Sequence, residues 1–276
     1  MQAGPLRLGL RREAFRATWR ASRSSRSVVR VSFDGEDWIH RWRSGALVWH
    51  EPLLRPKVVT EIDLSLFTYA YRPRPGDIVL DVGAGAGAEV GPFSRMVGAH
   101  GRVLAIEPDP AAFRRLKKLV QLSGLDNVVL DQWAVGATEG SGHLTQDGVA
   151  SATNRLAENG SDSTIPVPVT TLDSFIEQRG LGQIDYLKMN IEGSERAALV
   201  GLARHADIIR NWCIACHDFL GTSETTTLSF VRDWLEKAGL EVLRHPEVEG
   251  APWMGWYLFA SRASGAERRA QPQTTP

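Results

Sequence analysis

The sequence predicts an α/β protein built on a doubly wound parallel sheet. Apolar runs of strand length alternate with stretches of helical periodicity through most of the 276 residues, and this alternation is typical of a sheet covered by helices on both faces. The first such strand, 78–82, leads into the glycine- and alanine-rich segment 83–88. Small side chains let a backbone turn closely around a ligand beyond the carboxyl end of a strand, where open α/β sheets bind nucleotides.

The composition excludes several classes of protein. Lys plus Arg and Asp plus Glu both number 32, so no overall charge attracts nucleic acid, and we expect no nucleic-acid partner. The sequence has no stretch of about 18 apolar residues for a transmembrane helix, and its first residues lack the apolar core of a secretory signal. A chain of this length can hold one α/β domain of about 200 residues plus an appendage. No sequence pattern decides the oligomeric state.

Residues 1–57 are predicted to form a basic arm followed by a small β appendage. Residues 1–30 contain eight arginines and a single acidic residue, and Leu8, Phe15 and Trp19 would share one side of a helix. A solvated and partly disordered arm is the favoured interpretation. Peripheral contact with an anionic membrane and an organellar transit peptide are the alternatives.

Three short strands follow the arm. Alternating residues over 28–33 and 38–42 predict two strands joined by a turn at Asp34, and 46–49 adds a third. The tryptophans of these strands could stack on a flat substrate such as a sugar, but packing against the main domain is favoured. A helix over 61–71 then leads into the first strand of the main sheet.

The remaining elements alternate along the chain. Helices are predicted over 88–97, 110–123, 170–179, 194–203 and 225–238, and strands over 102–106, 127–130, 184–190, 212–216, 240–243 and 256–260. The Gly-, Ser- and Thr-rich residues 136–169 are predicted to form a long loop or lid over the acceptor site, with a disordered insertion as the alternative. Residues 263–276 are predicted to be a disordered tail.

The glycine turn raises the question of which nucleotide it binds. Residues 83–88 satisfy the G-x-G-x-x-G/A pattern of dinucleotide-binding folds. The Asp81 carboxylate beside the turn would repel a pyrophosphate, whereas it would attract the ammonium and sulfonium groups of S-adenosylmethionine. We therefore favour S-adenosylmethionine over NAD, with a merely structural, turn-capping Asp81 as the alternative.

Two further strand ends complete the predicted cofactor site. Glu107 follows the second strand of the main sheet, where an acid can accept hydrogen bonds from both ribose hydroxyls. Trp133 follows the third strand, so it either stacks on the adenine or belongs to the core. The residues predicted to bind the cofactor are Asp81, Gly83, Ala84, Gly85, Gly87, Glu107, Trp133, Ala134 and Asn190.

Six segments in register resemble the FkbM family of S-adenosylmethionine-dependent O-methyltransferases. The resemblance extends over about residues 58–260 and depends on the segments in combination, since each alone is weak. The segments are Leu80–Gly85, Ile106–Pro110, Ala134–Gly136, Val169–Asp173, Ile184–Glu195 and Cys216–Phe219.

The resemblance implies a fold and a class of substrate. The fold would be a Rossmann-like class I methyltransferase with a seven-stranded, mostly parallel sheet, formed by residues 58–262, whose last strand is antiparallel and lies between the fifth and sixth. The methyl acceptor would be a hydroxyl group of a sugar, a glycolipid or a polyketide-type natural product. The partner would therefore be a small molecule or a glycolipid. The sequence departs from the family at Asn190, where Asp is usual, and an amide cannot act as a base.

Methyl transfer to an alcohol also requires removal of the hydroxyl proton. Asn190, Glu192, His217 and Asp218 follow the fourth and fifth strands, and the predicted catalytic residues are His217, Asp218 and Glu192. His217 is the first choice for the base, because imidazole titrates near neutral pH, and Asp218 or Glu192 would orient it. Alternatively, His217 is a structural hydrogen-bonding group, and Glu192 contacts the cofactor or forms a salt bridge with Lys188.

The site is predicted to hold no metal ion, and the two cysteines are predicted to be reduced. Hard oxygen ligands suit Mg²⁺, so an ion held by Glu192, Asp218 and the substrate is the alternative to a metal-free site. Cys213 and Cys216 would face opposite sides of one strand, which disfavours a disulfide. We therefore expect a reduced protein in the cytoplasm.

Two other functions remain open from the sequence. The glycine pattern alone also fits an NAD(P)-dependent oxidoreductase. Asn190 in place of the usual acid also fits a methyltransferase fold that binds a partner without catalysis.

Overall fold

The computed structural model describes residues 5–145, 156–157, 164–218 and 226–262. The helices are α1 (Pro5–Ser24), α2 (Pro56–Phe67), α3 (Val90–Val97), α4 (Pro110–Ser123), α5 (Leu172–Gln178), α6 (Glu195–Val200) and α7 (Leu228–Lys237). The strands are β1 (Val29–Phe33), β2 (Trp38–Trp42), β3 (Gly45–Trp49), β4 (Ile78–Val82), β5 (Arg102–Ile106), β6 (Val128–Asp131), β7 (Ala134–Val135), β8 (Gly140–Thr145), β9 (Leu156–Ala157), β10 (Thr164–Thr170), β11 (Ile184–Met189), β12 (Ile209–Ala215), β13 (Leu240–Arg244) and β14 (Tyr257–Arg262).

Seven strands form the main sheet, in the order β13-β14-β12-β11-β4-β5-β6. The pairs from β12 through β6 are parallel, whereas β14 is antiparallel to both β12 and β13. The doubly wound, mostly parallel sheet with an antiparallel last strand, inserted between the fifth and sixth, is therefore confirmed. Every residue of β11 is buried, as expected for a central parallel strand covered on both faces.

Each face of this sheet has its own core, because successive side chains of a strand point to opposite sides. Leu80 and Leu187 pack with residues of α5, α6 and α7. Val79 and Tyr186, their immediate neighbours in sequence, pack on the other face with residues of α3 and α4.

The predicted disordered arm is largely helical, so that interpretation is wrong for the described part. Along α1, Thr18 and Ser22 lie one turn apart, and each hydroxyl both donates to and accepts from the backbone of β1, at Val31 and Val29 respectively. Ala17 and Ala21 are buried in the same contact. The helix thus satisfies the free edge of strand β1, which would otherwise present unpaired backbone groups to solvent.

A buried acid joins the appendage sheet β1-β2-β3 to the main domain. Asp37 is fully buried, and its carboxylate lies 2.9 Å from Arg115 Nε and 2.6 Å from Lys118 Nζ of α4. Those side chains lower the pKa of Asp37 despite the opposing effect of burial. Helix α4 begins just after Glu107 and packs against β3. The appendage therefore lies near the predicted cofactor site.

The expected long loop at 136–169 is partly β structure. Strands β8 and β10 pair antiparallel from Thr145↔Thr164 to Gly140↔Val169, within a small sheet of order β7-β10-β8-β9. In β8 the buried Leu144 lies between the partly exposed His143 and Thr145, an alternation that is typical of a strand with one covered face. Residues 146–155 and 158–163 lie outside the described residues, as does the predicted tail 263–276.

Helix boundaries agree with the sequence where a capping residue marks them. Asp109 caps α4 by accepting a hydrogen bond from Ala112 N at 2.7 Å, with Pro110 in the first turn. The prediction of a helix over 61–71 is wrong by one turn, because Pro56 occupies the first turn of α2 and proline favours that place. Across the described ranges, no helix is both long and apolar enough to cross a bilayer.

Candidate active site

The glycine turn after β4 closes tightly against the neighbouring strand ends. Gly83 has a φ of +79°, and a Cβ there would lie 1.9 Å from the carbonyl oxygen of Asn190. The backbone amides of Gly83 and Ala84 both donate to Ile106 O, at 2.9 and 3.0 Å. Gly87 packs where a side chain would collide with α4 residues. The turn thereby joins the ends of β4, β5 and β11.

A pocket opens beyond these strand ends, where the sequence predicts the cofactor. Gly85 borders it, and a Cβ at this glycine would meet no atom within 4 Å, so the turn leaves space on the pocket side. The pocket is lined by Trp49, Val82, Gly83, Ala84, Gly85, Ala86, Ala88, Glu89, Ile106, Glu107, Pro108, Trp133, Ala134, Val135, Leu144, Lys188, Asn190, Ile191, Glu192 and Ser194.

Asp81 does not line this pocket, which corrects the sequence argument for a carboxylate facing the ligand. It is fully buried and lies 2.9 Å from Lys188 Nζ. Lys188 also donates to Gly83 O at 2.7 Å, so the pair supports the glycine turn from behind. The anticipated salt bridge between Lys188 and Glu192 is replaced by this pair.

Glu89 is the acidic side chain of the pocket wall that the sequence analysis missed. It is 6% exposed, and burial raises its pKa to about 8 although the charge of Lys188 opposes the shift. Asp63 is similarly affected: burial raises its pKa, with the same lysine opposing. With Asp81 and Glu107 also interacting with Lys188, four acids surround one base. This excess of acidic groups favours a positively charged ligand.

Glu107 is held in place by the backbone around it. One carboxylate oxygen accepts from Gly85 N at 2.7 Å and the other from Asp109 N at 2.8 Å. Burial nevertheless raises its pKa to about 7. Each carboxylate oxygen has a second lone pair, so Glu107 can still accept hydrogen bonds from the two hydroxyls of a ribose.

Two tryptophans border the pocket from different parts of the chain. Trp133 both packs against the main core and lines the pocket, so the two interpretations of this residue are compatible. Ala134, beside it, is buried at the same wall. Trp49 belongs to β3 of the appendage, which packs against α4. Sequence periodicity places Trp49 on a strand, but no local signal shows what that strand packs against.

A second cavity adjoins the first and shares Asn190 and Glu192 with it. Its far wall is aromatic. The residues that line it are Asn190, Glu192, Ala215, Cys216, His217, Pro252, Trp253, Trp256 and Tyr257. Asn190 and Glu192 therefore lie where a donor in the first cavity and an acceptor in the second would meet.

His217 lies between two carboxylates at this junction. Its Nδ1 is 2.8 Å from Glu195 Oε1, and its Nε2 is 3.4 Å from Glu192 Oε1. Burial by itself would lower the pKa of His217, but the two carboxylates outweigh it and raise the pKa to about 10. An imidazole that is already protonated at neutral pH cannot accept a proton there, so the geometry favours a positioning role for His217.

Glu195 fixes the loop that carries Glu192. It is fully buried and accepts hydrogen bonds from Gly193 N at 3.2 Å and Thr227 Oγ1 at 3.1 Å. Glu192 has a φ of +54°, a left-handed conformation that costs on the order of 1–3 kcal/mol for a residue with a side chain. Strain of this kind is common at functional sites and is maintained by surrounding contacts.

Asp218 is turned away from His217. Its carboxylate accepts from the backbone amides of Thr227 and Leu228, at 3.1 and 2.9 Å. It therefore anchors the start of α7, and the carboxylates that orient His217 are Glu192 and Glu195. Within the described part of the chain, no cluster of three or more His, Cys, Asp or Glu side chains could hold a metal ion. Cys213 and Cys216 are free and buried.

Comparison with known proteins identifies the family of this chain. A sequence model described as the methyltransferase FkbM domain matches residues 81–242, more than half of the chain. The chain belongs to the FkbM methyltransferase family. Its strand order and family membership give it the Rossmann-like class I fold of S-adenosylmethionine-dependent methyltransferases. The matched residues include the glycine turn, Glu107 and the whole junction of the two cavities, whereas Trp49 lies outside them.

Solved structures of similar fold are distant in sequence. The FkbM methyltransferase of Methylobacillus flagellatus is 16% identical at a TM-score of 0.48, over 70% of this chain and 45% of that protein. Fibrillarin of Aeropyrum pernix, solved with natively bound S-adenosylmethionine, is 15% identical at a TM-score of 0.43, over 84% and 97%. An S-adenosylmethionine-dependent O-methyltransferase of Thermotoga maritima is 13% identical at a TM-score of 0.43, over 83% and 78%.

The chain thus spans under half of the Methylobacillus protein. No curated protein matches it.

Proposed function

We propose that the protein is an S-adenosylmethionine-dependent O-methyltransferase that acts on a hydroxyl of a sugar, a glycolipid or a polyketide-type natural product. The observation that carries this proposal is Glu192, which borders both cavities and lies 3.4 Å from the buried imidazole of His217. Family membership sets aside an NAD(P)-dependent oxidoreductase. The two free, buried thiols suit a reducing compartment and support a cytoplasmic location.

The first cavity fits the methyl donor in shape and charge. Glu107 would hold the ribose, Trp133 and Trp49 would flank the adenine, and Glu89 would face the positively charged end. When bound, S-adenosylmethionine supplies an already activated methyl group. The remaining task of the protein is to align an acceptor oxygen and remove its proton.

Glu192 is the proposed general base, in place of His217. Glu192 would accept the proton of the acceptor hydroxyl, while the bound donor would supply the methyl group and leave as a neutral thioether that keeps the electrons of the broken carbon–sulfur bond. The left-handed backbone of Glu192 directs this carboxylate to the junction, and the Glu195–His217 pair holds it there. Asn190 borders both cavities and has an amide that can hydrogen-bond the acceptor, which is compatible with Asn in place of the usual Asp.

The aromatic wall of the second cavity supports a ring-shaped acceptor. Trp253 is 40% exposed, and Trp256 and Tyr257 lie beside it. Aromatic faces combine apolar contact area with polar edges, so they suit a sugar ring, which presents C–H groups on its faces and hydroxyls around its rim. A polyketide-type acceptor would use the same wall through apolar contact alone.

Replacement of Glu192 by Gln tests the proposed base. We expect kcat to fall at least 100-fold, since general bases typically contribute about 10²–10⁴-fold, while the affinity for S-adenosylhomocysteine in calorimetry remains within about three-fold. Asp218→Asn is the matched control, because Asp218 contacts backbone amides of α7, and its kcat should remain within about three-fold. Methyl transfer is measured with labelled donor and glycoside, glycolipid and polyketide acceptors.

Two results would overturn the proposal. If neither S-adenosylmethionine nor S-adenosylhomocysteine binds or raises the melting temperature, the donor assignment fails. If the donor binds but no acceptor, including cell-extracted metabolites and lipids, is methylated even in a single turnover, the protein is a non-catalytic binding protein.

A further inference from the structure

Helix α1 presents an exposed face that combines arginines with large apolar side chains. Phe15 is 74% exposed and Trp19 is 58% exposed, and Val28, just beyond the helix, is 76% exposed. Arginines at positions 12, 16 and 23 follow Phe15 and Trp19 at helical spacing, and all three are exposed. None of these arginines forms an ion pair with a described residue.

The opposite face of α1 prevents these side chains from turning inward. Thr18 and Ser22 are hydrogen-bonded to β1, and Ala17 and Ala21 are buried against the same small sheet. A rotation that buried Trp19 would break these hydrogen bonds and expose the edge of β1. The exposure of the aromatic side chains is therefore a consequence of how the helix is docked.

The charge of this segment differs from that of the whole molecule. Lys plus Arg equals Asp plus Glu over the full chain, at 32 each, yet residues 1–30 contain eight arginines and one acid, Glu13. A basic face with aromatic side chains is complementary to a surface that offers both negative charge and an apolar interior. A lipid bilayer with anionic headgroups has both properties.

We propose that the exposed face of α1, together with Val28, docks the protein on an anionic lipid surface. Arg12, Arg16 and Arg23 contact lipid phosphates, while Phe15 and Trp19 enter the boundary between headgroups and acyl chains. A nucleic acid would satisfy the arginines but leave Phe15 and Val28 in water, so the lipid surface is the better match. This inference is independent of the methyl acceptor.

Vesicle binding of the full chain tests the inference. We expect the protein to co-sediment with phosphatidylglycerol–phosphatidylcholine vesicles, to bind pure phosphatidylcholine at least ten-fold more weakly, and to be released by high salt. The combined substitution Arg12→Glu, Arg16→Glu and Arg23→Glu should weaken binding at least ten-fold. Phe15→Ser with Trp19→Ser should also weaken it at least ten-fold, with the arginines intact.

A matched charge reversal in the main domain distinguishes binding through α1 from general electrostatic attraction to the vesicles. Arg102, Lys117 and Lys237 are exposed and lie in the main domain. Changing all three to Glu alters the net charge by the same amount as the α1 variant, and should leave vesicle binding within about two-fold. Circular dichroism and melting temperature confirm that every variant is folded.

Four outcomes would overturn the inference. The first is no preference of the wild-type chain for anionic vesicles, and the second is equal loss in the control and α1 variants. The third is binding of a 20-nucleotide RNA through the α1 arginines without vesicle binding. Quenching of tryptophan fluorescence by brominated lipid gives a separate measure of insertion. The contribution of Trp19 is the difference in quenching between the wild-type chain and Trp19→Phe. Absence of this difference would also contradict the inference.

Discussion

In the proposed mechanism, Glu192 and His217 exchange the roles that residue type alone suggests. An isolated imidazole titrates near neutral pH and is the usual choice for a base. Here two carboxylates flank the ring, and the side chain that reaches both cavities is the glutamate. The pairing arises because residues from two different strand ends, β11 and β12, converge at one edge of the sheet.

The pH dependence of kcat/KM distinguishes the two assignments. With His217 protonated up to a pKa of about 10, activity should be flat between pH 7.5 and 9 and should fall as the imidazolium is lost near pH 10. A neutral His217 base would instead give a rate that rises with unit slope up to that pKa. Such a rise in the wild-type profile would contradict the positioning role of His217.

Glu89 provides a prediction for ligand binding. Because burial raises its pKa to about 8, a cationic ligand should lower that pKa, release a proton and bind more tightly as the pH rises from 6 to 8.5. Calorimetry in buffers of different ionisation enthalpy measures the release. The number of protons released should be larger for S-adenosylmethionine than for S-adenosylhomocysteine, whose thioether is uncharged.

Replacement of Glu89 by Gln should remove much of this effect. We expect about ten-fold weaker binding of S-adenosylmethionine, equivalent to about 1.4 kcal/mol, and a flatter pH dependence. Glu241→Gln, an exposed position on β13, is the control and should bind normally. Equal proton release in Glu89→Gln and wild type would assign the titration to another group, such as Glu107.

At the scale of elements, one ion cluster joins the appendage to the main domain, and Trp49 of the appendage lines the proposed cofactor pocket. Asp37 should therefore affect both stability and binding. Removing one partner of a buried ion pair typically costs about 3–5 kcal/mol, so Asp37→Ala should lower the free energy of urea unfolding by about 3 kcal/mol. Glu36→Ala, whose carboxylate is half-exposed, should cost under about 1 kcal/mol. Equal losses of unfolding free energy in the two variants would show that Asp37 does not anchor the appendage sheet.

The alternation of elements is predictable from sequence because it depends on local periodicity and caps. Asp109 and the glycine turn mark their elements without knowledge of the rest of the chain. The pairing of Asp81 with Lys188 is different, since 107 residues separate them, and they meet only because β4 and β11 are neighbours with these residues in register. Likewise, Phe15 and Trp19 have the right period for a buried face, but the hydroxyls of Thr18 and Ser22 decide which side of α1 packs.

At the scale of the whole molecule, the fold brings acidic groups together beside the proposed cofactor pocket. Glu89, Glu107 and Asp63 are all in environments that raise the pKa. The folded protein without ligand thus holds protons that the unfolded chain would release. Stability and cofactor binding are therefore coupled through the same carboxyl groups.

This coupling predicts how the stability of the ligand-free protein depends on pH. A raised carboxyl pKa means that stability is lost as pH rises from the unfolded value, near 4.5, towards the folded value, about 8 for Glu89 and about 7 for Glu107. The raised pKa of His217, about 10, acts in the same direction above pH 6.5. By contrast, Asp34, Asp37 and Asp173, whose pKa values are lowered, lose their contribution only below about pH 4.

The melting temperature without ligand should therefore be highest near pH 5 and fall by several degrees by pH 8.5, a loss of at least about 2 kcal/mol. Saturating S-adenosylmethionine should reduce this slope, because the cation stabilises the ionised carboxylates and binds the folded state alone. Glu89→Gln should flatten the slope without ligand. A melting temperature that is constant or rises between pH 5 and 8.5 would show that these acids are ionised in the empty pocket.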